Sequence, residues 1–218
     1  MFTTGIYEIL NVWANDADKF AVFVGGFTLP VLFYFIYRFD NITEIKKMVY
    51  KDSIPESRLS FLLRIIFTLI IVSYVIALAG IGQLVLMPLI DALVRALGAV
   101  IYLNGITLLL VLNNLKTSFF DGKKRDIRSM FFCNEVRYPE YFFVFMIALG
   151  SSLMSLSFAG IILSNLVLLP FIILKIKKEE KSLVNIDSRY YNYSIDVPMM
   201  FPDIKDFIKR LFFKKIIR

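Results

Sequence analysis

Apolar residues in this chain gather into long blocks instead of alternating or recurring in narrow stripes. Five blocks approach the roughly 20 residues that a helix needs to cross a hydrocarbon core. They are Phe20 to Tyr37, Leu59 to Ala79, a helix of about Leu89 to Leu115, Pro139 to about Phe158, and Ile161 to Ile176. Gly25, Gly26 and Pro30 inside the first block are tolerable, because membrane helices accept such residues better than soluble ones do. Gly80-Ile81-Gly82 reads as an uncharged tight turn, and Pro88 separates a short lead-in from the third helix. Gly160 is expected to mark the turn between the last two blocks, which makes them a helical hairpin. The pattern therefore predicts an all-α integral membrane protein with about five transmembrane helices, ending in that hairpin.

The remaining segments fit around this frame. Ile6 to Trp13 is an apolar cluster that reads as an interfacial helix or as a frayed terminus. Residues 38–58 form a polar loop or a short surface helix, and Arg64 stands where it can snorkel to the headgroups. Asp91 and Arg95, four residues apart, can pair on one helix face, either as a structural ion pair or as a polar site in the bundle. Ser151, Ser155 and Ala159, with Ala148 and Ser152 one face over, give small residues at four-residue spacing, the pattern that lets helix backbones approach in lipid. The chain divides into an N-terminal three-helix region (1–115), the hairpin with its tail (116–202), and a basic amphipathic surface helix (203–218).

Charge orients the frame. Five spans put 22 of the 25 basic residues, in segments 38–58, 116–138 and 175–218, on one side. The positive-inside rule makes that side cytoplasmic, with the N-terminus outside and the C-terminus inside, as in a prokaryotic inner membrane. The formal charge of +7 then reflects lipid headgroups and orientation, not nucleic acid. Histidine is absent and Cys133 is the single cysteine, which counts against zinc, haem and Ser-His-Asp chemistry and excludes an intrachain disulfide. The first eighteen residues carry three acids and no basic n-region, unlike a secretory signal, and the last residues are not a prenylation box.

The hairpin has a chemical consequence. Arg137-Tyr138-Pro139 precedes its first helix and Glu179-Glu180 follows its second, so both emerge at one cytoplasmic face. Val136-Arg137-Tyr138-Pro139-Glu140-Tyr141, with Ala148-Leu149-Gly150, resembles the "RHPxYxG … G" motif of the isoprenylcysteine carboxyl methyltransferase and phospholipid methyltransferase superfamily. Lys175-Ile176-Lys177-Lys178-Glu179-Glu180, then Leu183, Tyr190, Tyr193, Val197-Pro198 and Pro202, resembles that superfamily's "RIxxEExxL … YxxY … VPxxxP" tail. The resemblance spans about 120–202, and both halves come in the family's order.

What the resemblance implies is an S-adenosylmethionine-dependent methyltransferase working on a lipidic or small apolar acceptor, isoprenylcysteine-like or phospholipid-like, that reaches it through the membrane. It implies that Arg137, Tyr138, Pro139, Tyr141, Gly150, Glu179, Glu180, Tyr190 and Tyr193 surround the cofactor. Glu180 with Lys175 would be the catalytic, acceptor-orienting pair. Membrane lipids are the expected partners, without metal or nucleic acid. Five departures stand out: Tyr138 replaces the motif histidine, Phe143 the glycine, Lys175 the arginine, Met199 the arginine after Val-Pro, and the glycine expected near Ile186-Asp187-Ser188 is absent from a turn one residue shorter. Two other readings stay open. One is a non-catalytic protein on the same scaffold. The other is an NADPH-dependent sterol-reductase-like protein, disfavoured because its motif carries tryptophan and Trp13 is far away. Taken singly, Glu179-Glu180 can be a solvated charge run, Tyr190 and Tyr193 interfacial anchors, and Arg137 an orientation signal.

Overall fold

The computed structural model describes residues 58–119, 136–186 and 188–201. The expected first span, both N-terminal surface segments, most of the basic loop and the 203–218 helix lie outside them. The described residues fold as helices joined by short turns: α1 (Arg58–Leu78), α2 (Pro88–Phe119), α3 (Pro139–Met154), α4 (Phe158–Ile162), a π turn (Leu163–Leu168), α5 (Leu169–Ile186) and α6 (Ser188–Asp196). Three stretches, Phe61–Leu78, Pro88–Leu112 and Phe158–Asn185, are long and apolar enough to cross a membrane, and α3 is apolar but shorter. They point to a membrane protein.

α3 is the centre of the bundle, buried on nearly every side. Its sequence explains why. Ser151, Ser152 and Ser155 donate their hydroxyls to carbonyls of their own helix, so a polar-looking face packs as a small, satisfied one. α2 runs antiparallel against it along glycines. A methyl placed on Gly150 would lie 2.5 Å from the backbone nitrogen of Tyr102, and Gly98 meets the backbone of Met154 just as closely. Such an approach is what small residues provide where apolar burial no longer separates helix from lipid. α1, α5 and Met200 complete one hydrophobic core that runs across the boundary expected near residue 115.

Three expectations about the hairpin need correction. The turn falls at Ser155-Leu156-Ser157, not at Gly160. Leu156 takes a positive φ of 53° and breaks the helix, and the Ser157 hydroxyl accepts from the Gly160 amide to start the next one. Gly160 is needed for packing instead: a methyl there would lie 2.6 Å from the Ser152 hydroxyl. Ala159 is exposed and so leaves the packed small-residue face at Ser155. The returning helix does not end at Ile176, for α5 continues to Ile186 and carries the charged segment on helical geometry. The π turn lies just ahead of Pro170, with the Leu169 amide bonded five residues back to Ser164. A proline ring clashes with the carbonyl four residues earlier, and a widened turn relieves it.

At the end of the bundle away from Pro139, the two turns are tied together. Gly80 and Gly82 adopt positive φ, as a turn in the left-handed region requires. The Leu84 amide donates to the Leu156 carbonyl at 2.9 Å and the Phe158 amide to the Gly82 carbonyl at 3.2 Å. Nearby, Arg95 is buried, paired with Asp91, and reaches the Met154 carbonyl. A cation at the C-terminal end of α3 offsets that helix's negative pole, as a structural ion pair would.

Candidate functional site

The opposite end of α3 gathers the chemistry. Tyr138 is its N-cap residue and Pro139 its first helical residue, where a missing N–H costs nothing. The Tyr138 side chain makes no capping bond. The orphan amides just before the helix are held instead by the tail: Arg137 N–H donates to the Pro198 carbonyl at 2.9 Å and Tyr138 N–H to the Met199 carbonyl at 3.1 Å. Residues 197–201 thus form a strap across the start of α3. Phe201 anchors it with edge-on contacts to Phe142 and Phe145.

Helical spacing arranges the side chains. Tyr141 lies one turn beyond Tyr138 and faces the same side. On α5, Lys175 and Glu179 are likewise one turn apart, with Glu180 beside them. Arg137 forms an ion pair with Glu180. The Tyr141 hydroxyl donates to Glu179 at 3.0 Å. Lys175 Nζ sits 3.8 Å from the same carboxylate and 5.1 Å from the centroid of the Tyr141 ring, a cation–π distance. The Tyr190 hydroxyl of α6 meets that of Tyr138 at 3.3 Å. Lys175 is only 2% exposed and Arg137 9%. A solvated charge run would leave these groups in water, as it does leave Lys177 and Lys178.

Two cations, Arg137 and Lys175, face the carboxylates of Glu179 and Glu180 here, away from bulk solvent, and the buried Glu140 adds a third carboxylate close to Tyr141. Burial makes each pairing electrostatically stronger and each unpaired group costlier. Burial is also the main reason that the Tyr138 phenol is pushed well above its usual range, with Tyr190 and Glu179 adding to it. Tyr138 therefore stays a neutral donor where the resembled motif has a histidine able to carry charge. The Arg137 Nε–H is buried and has no hydrogen-bond partner among the described residues. The described residues hold no group of three or more potential metal ligands.

Of the residues singled out from sequence, the structure brings together Arg137, Tyr138, Pro139, Tyr141, Lys175, Glu179, Glu180 and Tyr190. Tyr193 lies behind them, its ring 5.6 Å from that of Tyr190, in a small cluster with Leu183 and Val197. Gly150 is not part of this group. It stands nine residues along α3 from Tyr141, about 14 Å at helical rise, and serves the α2 contact. Sequence reasoning missed the strap carbonyls of Pro198 and Met199. The only signal for them is the pair of prolines, Pro198 and Pro202, which disfavour a continuing helix there. Compared with family models, curated proteins and solved structures, the chain matches none.

Proposed function

We propose that this chain is an integral membrane S-adenosylmethionine-dependent methyltransferase acting on a lipidic or small apolar acceptor. In this reading it has five spans, its N-terminus outside, and its charged end and basic tail helix in the cytoplasm. The observation that carries it is the meeting of Arg137 with Glu180 and of Tyr141 with Glu179, from two segments 38 or more residues apart. Those are the residues in which the two half-motifs resemble the methyltransferase superfamily.

The donor set fits the cofactor. The buried Arg137 Nε–H is a spare donor for a carboxylate such as that of the methionine moiety. Glu179 and Glu180 are acceptors suited to ribose hydroxyls or an amino group. The rings of Tyr138, Tyr141 and Tyr190 offer π faces that favour a cationic centre. When bound, S-adenosylmethionine supplies a methyl group already activated on a sulfonium, so the protein's task is alignment and exclusion of water. The strap bonds the Arg137 and Tyr138 amides and α6 meets Tyr138 through Tyr190, contacts that would help to exclude water. Glu180, with Lys175 nearby, would orient the acceptor. Calorimetric titration of the purified protein with S-adenosylmethionine tests the reading: heat of binding with thermal stabilisation is expected, and the absence of both sinks it.

A non-catalytic role on the same scaffold is the second reading. What favours it is that the cluster's charges pair with one another, and that the Tyr138 hydroxyl is bonded to that of Tyr190. It expects Arg137→Ala and Glu180→Gln, if folded, to leave a cellular phenotype intact. Loss of that phenotype in folded variants counts against it.

A further inference from the structure

The two tied turns at the far end of α3 carry no charge of their own to hold them in water. No acidic or basic residue occurs between Arg64 and Asp91, nor between Glu140 and Lys175. Both uncharged stretches contain the tied turns, and their apolar side chains point outward: Val85 is 97% exposed, Ile81 67% and Phe158 55%. Water is a poor neighbour for such a patch.

Helix length gives its depth. From Pro139, beside the charged cluster, α3 climbs 16 residues to Met154, about 24 Å, against a hydrocarbon core of roughly 30 Å. Leu84 is bonded to Leu156 at this level, so the tied turns stop short of the far boundary. α2 does not stop there. Gly98 packs beside Met154, and the ten residues back to Pro88 add about 15 Å. Asp91 is thereby carried towards the headgroups while the turns stay beneath them.

Several polar groups of the turns are bonded within the protein. In hydrocarbon an unsatisfied backbone group costs several kcal/mol, so exposed loops are excluded unless their polar groups are paired internally. Besides the two amides shared between the turns, Gly80 N–H donates to Ala77, Ile81 N–H to Ile76, and the Gln83 side-chain amide to the Ala77 carbonyl. The Ser157 hydroxyl reaches the Ser73 carbonyl.

We infer that the paired turns Gly80–Leu84 and Ser155–Phe158 are seated within the hydrocarbon of the far leaflet, with acyl chains as the partner of Ile81, Val85 and Phe158. The patch is continuous with the exposed apolar faces of α1 and α2, which supports lipid as its occupant. The inference rests on the membrane-spanning part of the function proposed above and is independent of methyl transfer. It makes this end a closed cap, at the opposite end of α3 from the polar cluster.

The test uses single cysteines in a Cys133→Ser background, in the full chain reconstituted into phosphatidylcholine vesicles and probed from both sides with a charged maleimide. Ile81→Cys and Phe158→Cys should react as slowly as Val100→Cys in mid-α2, at least about tenfold slower than Lys178→Cys, because apolar surroundings suppress the thiolate. A fluorophore at position 81 should be quenched by lipids brominated on the acyl chain. Reaction of Ile81→Cys at the Lys178→Cys rate, with Val100→Cys protected, overturns the inference alone. Protection without bromolipid quenching overturns it too, since protein would then cover the turn. Rapid reaction of Val100→Cys instead overturns the membrane-spanning reading beneath it. Phe158→Cys carries the test if Ile81→Cys does not fold.

Discussion

Arg137 and Glu180 depend on each other more than on water, and that sets what their substitution does. Removing one partner of a buried ion pair leaves an uncompensated charge, which costs about 3–5 kcal/mol when burial is complete and less here, where both side chains keep some exposure. Glu180→Ala should therefore destabilise by about 2 kcal/mol, and Arg137→Met added to it should recover part of the loss. Thermal unfolding of the two single variants and the double variant in detergent checks this; purely additive losses would refute the coupling. Tyr138 makes a pH-dependent contribution of definite sign. Its folded pKa lies above the ordinary value of 10.0, so the unfolded chain loses the proton first as pH rises. The contribution is complete below pH 10 and lost progressively above it, towards the raised folded value. Tyr138→Phe should flatten the alkaline limb of the stability profile, followed through tyrosinate absorbance. An unchanged limb would show that Tyr138 does not contribute to it.

Two element-scale contacts decide the architecture, the α2–α3 seam and the strap. At the seam, backbone meets backbone. Gly150→Ala forces a methyl against the Tyr102 nitrogen, which no side-chain rotation can relieve. A loss of about 1–3 kcal/mol is expected, typical of overpacking. Resistance to denaturation in mixed micelles measures it, and wild-type resistance would mean the helices separate at little cost. The strap is held by two amide bonds and by the cluster of Leu183, Tyr190, Tyr193 and Val197. Tyr193→Ala should loosen that cluster and raise hydrogen exchange at the Arg137 and Tyr138 amides, while the seam stays protected. Uniform exchange changes along α3 would assign Tyr193 a global role instead. The same elements show how legible the chain was. α1, α2 and the Gly80–Gly82 turn follow from length, apolarity and Pro88. The hairpin turn did not, because Gly160 is the stronger turn signal while Leu156 is the residue that takes the positive φ. A non-glycine residue in that conformation is paid for by tertiary bonds to Gly82 and Leu84, which are remote in sequence.

For the whole molecule, the asymmetry of basic residues makes a topological prediction. A fluorescent protein fused after Arg218 should fluoresce in cells, while alkaline phosphatase at the same position should be inactive, as for a cytoplasmic C-terminus. The reverse pattern would overturn the five-span orientation.

Sequence alone determined that the chain is built of apolar helices, because crossing a membrane constrains length and composition, which are local properties. It also singled out Arg137, Glu179 and Glu180, since two helix ends joined by a short turn must lie side by side, while Tyr141 came from the motif resemblance alone. Only the tertiary structure decided which charge meets which, that the strap carbonyls take the Arg137 and Tyr138 amides, and that Gly150 belongs to a helix seam and not to the polar cluster. Those outcomes depend on how α2, α5 and the tail approach α3. That approach is set by close packing among residues far apart in the chain, and no local pattern encodes it.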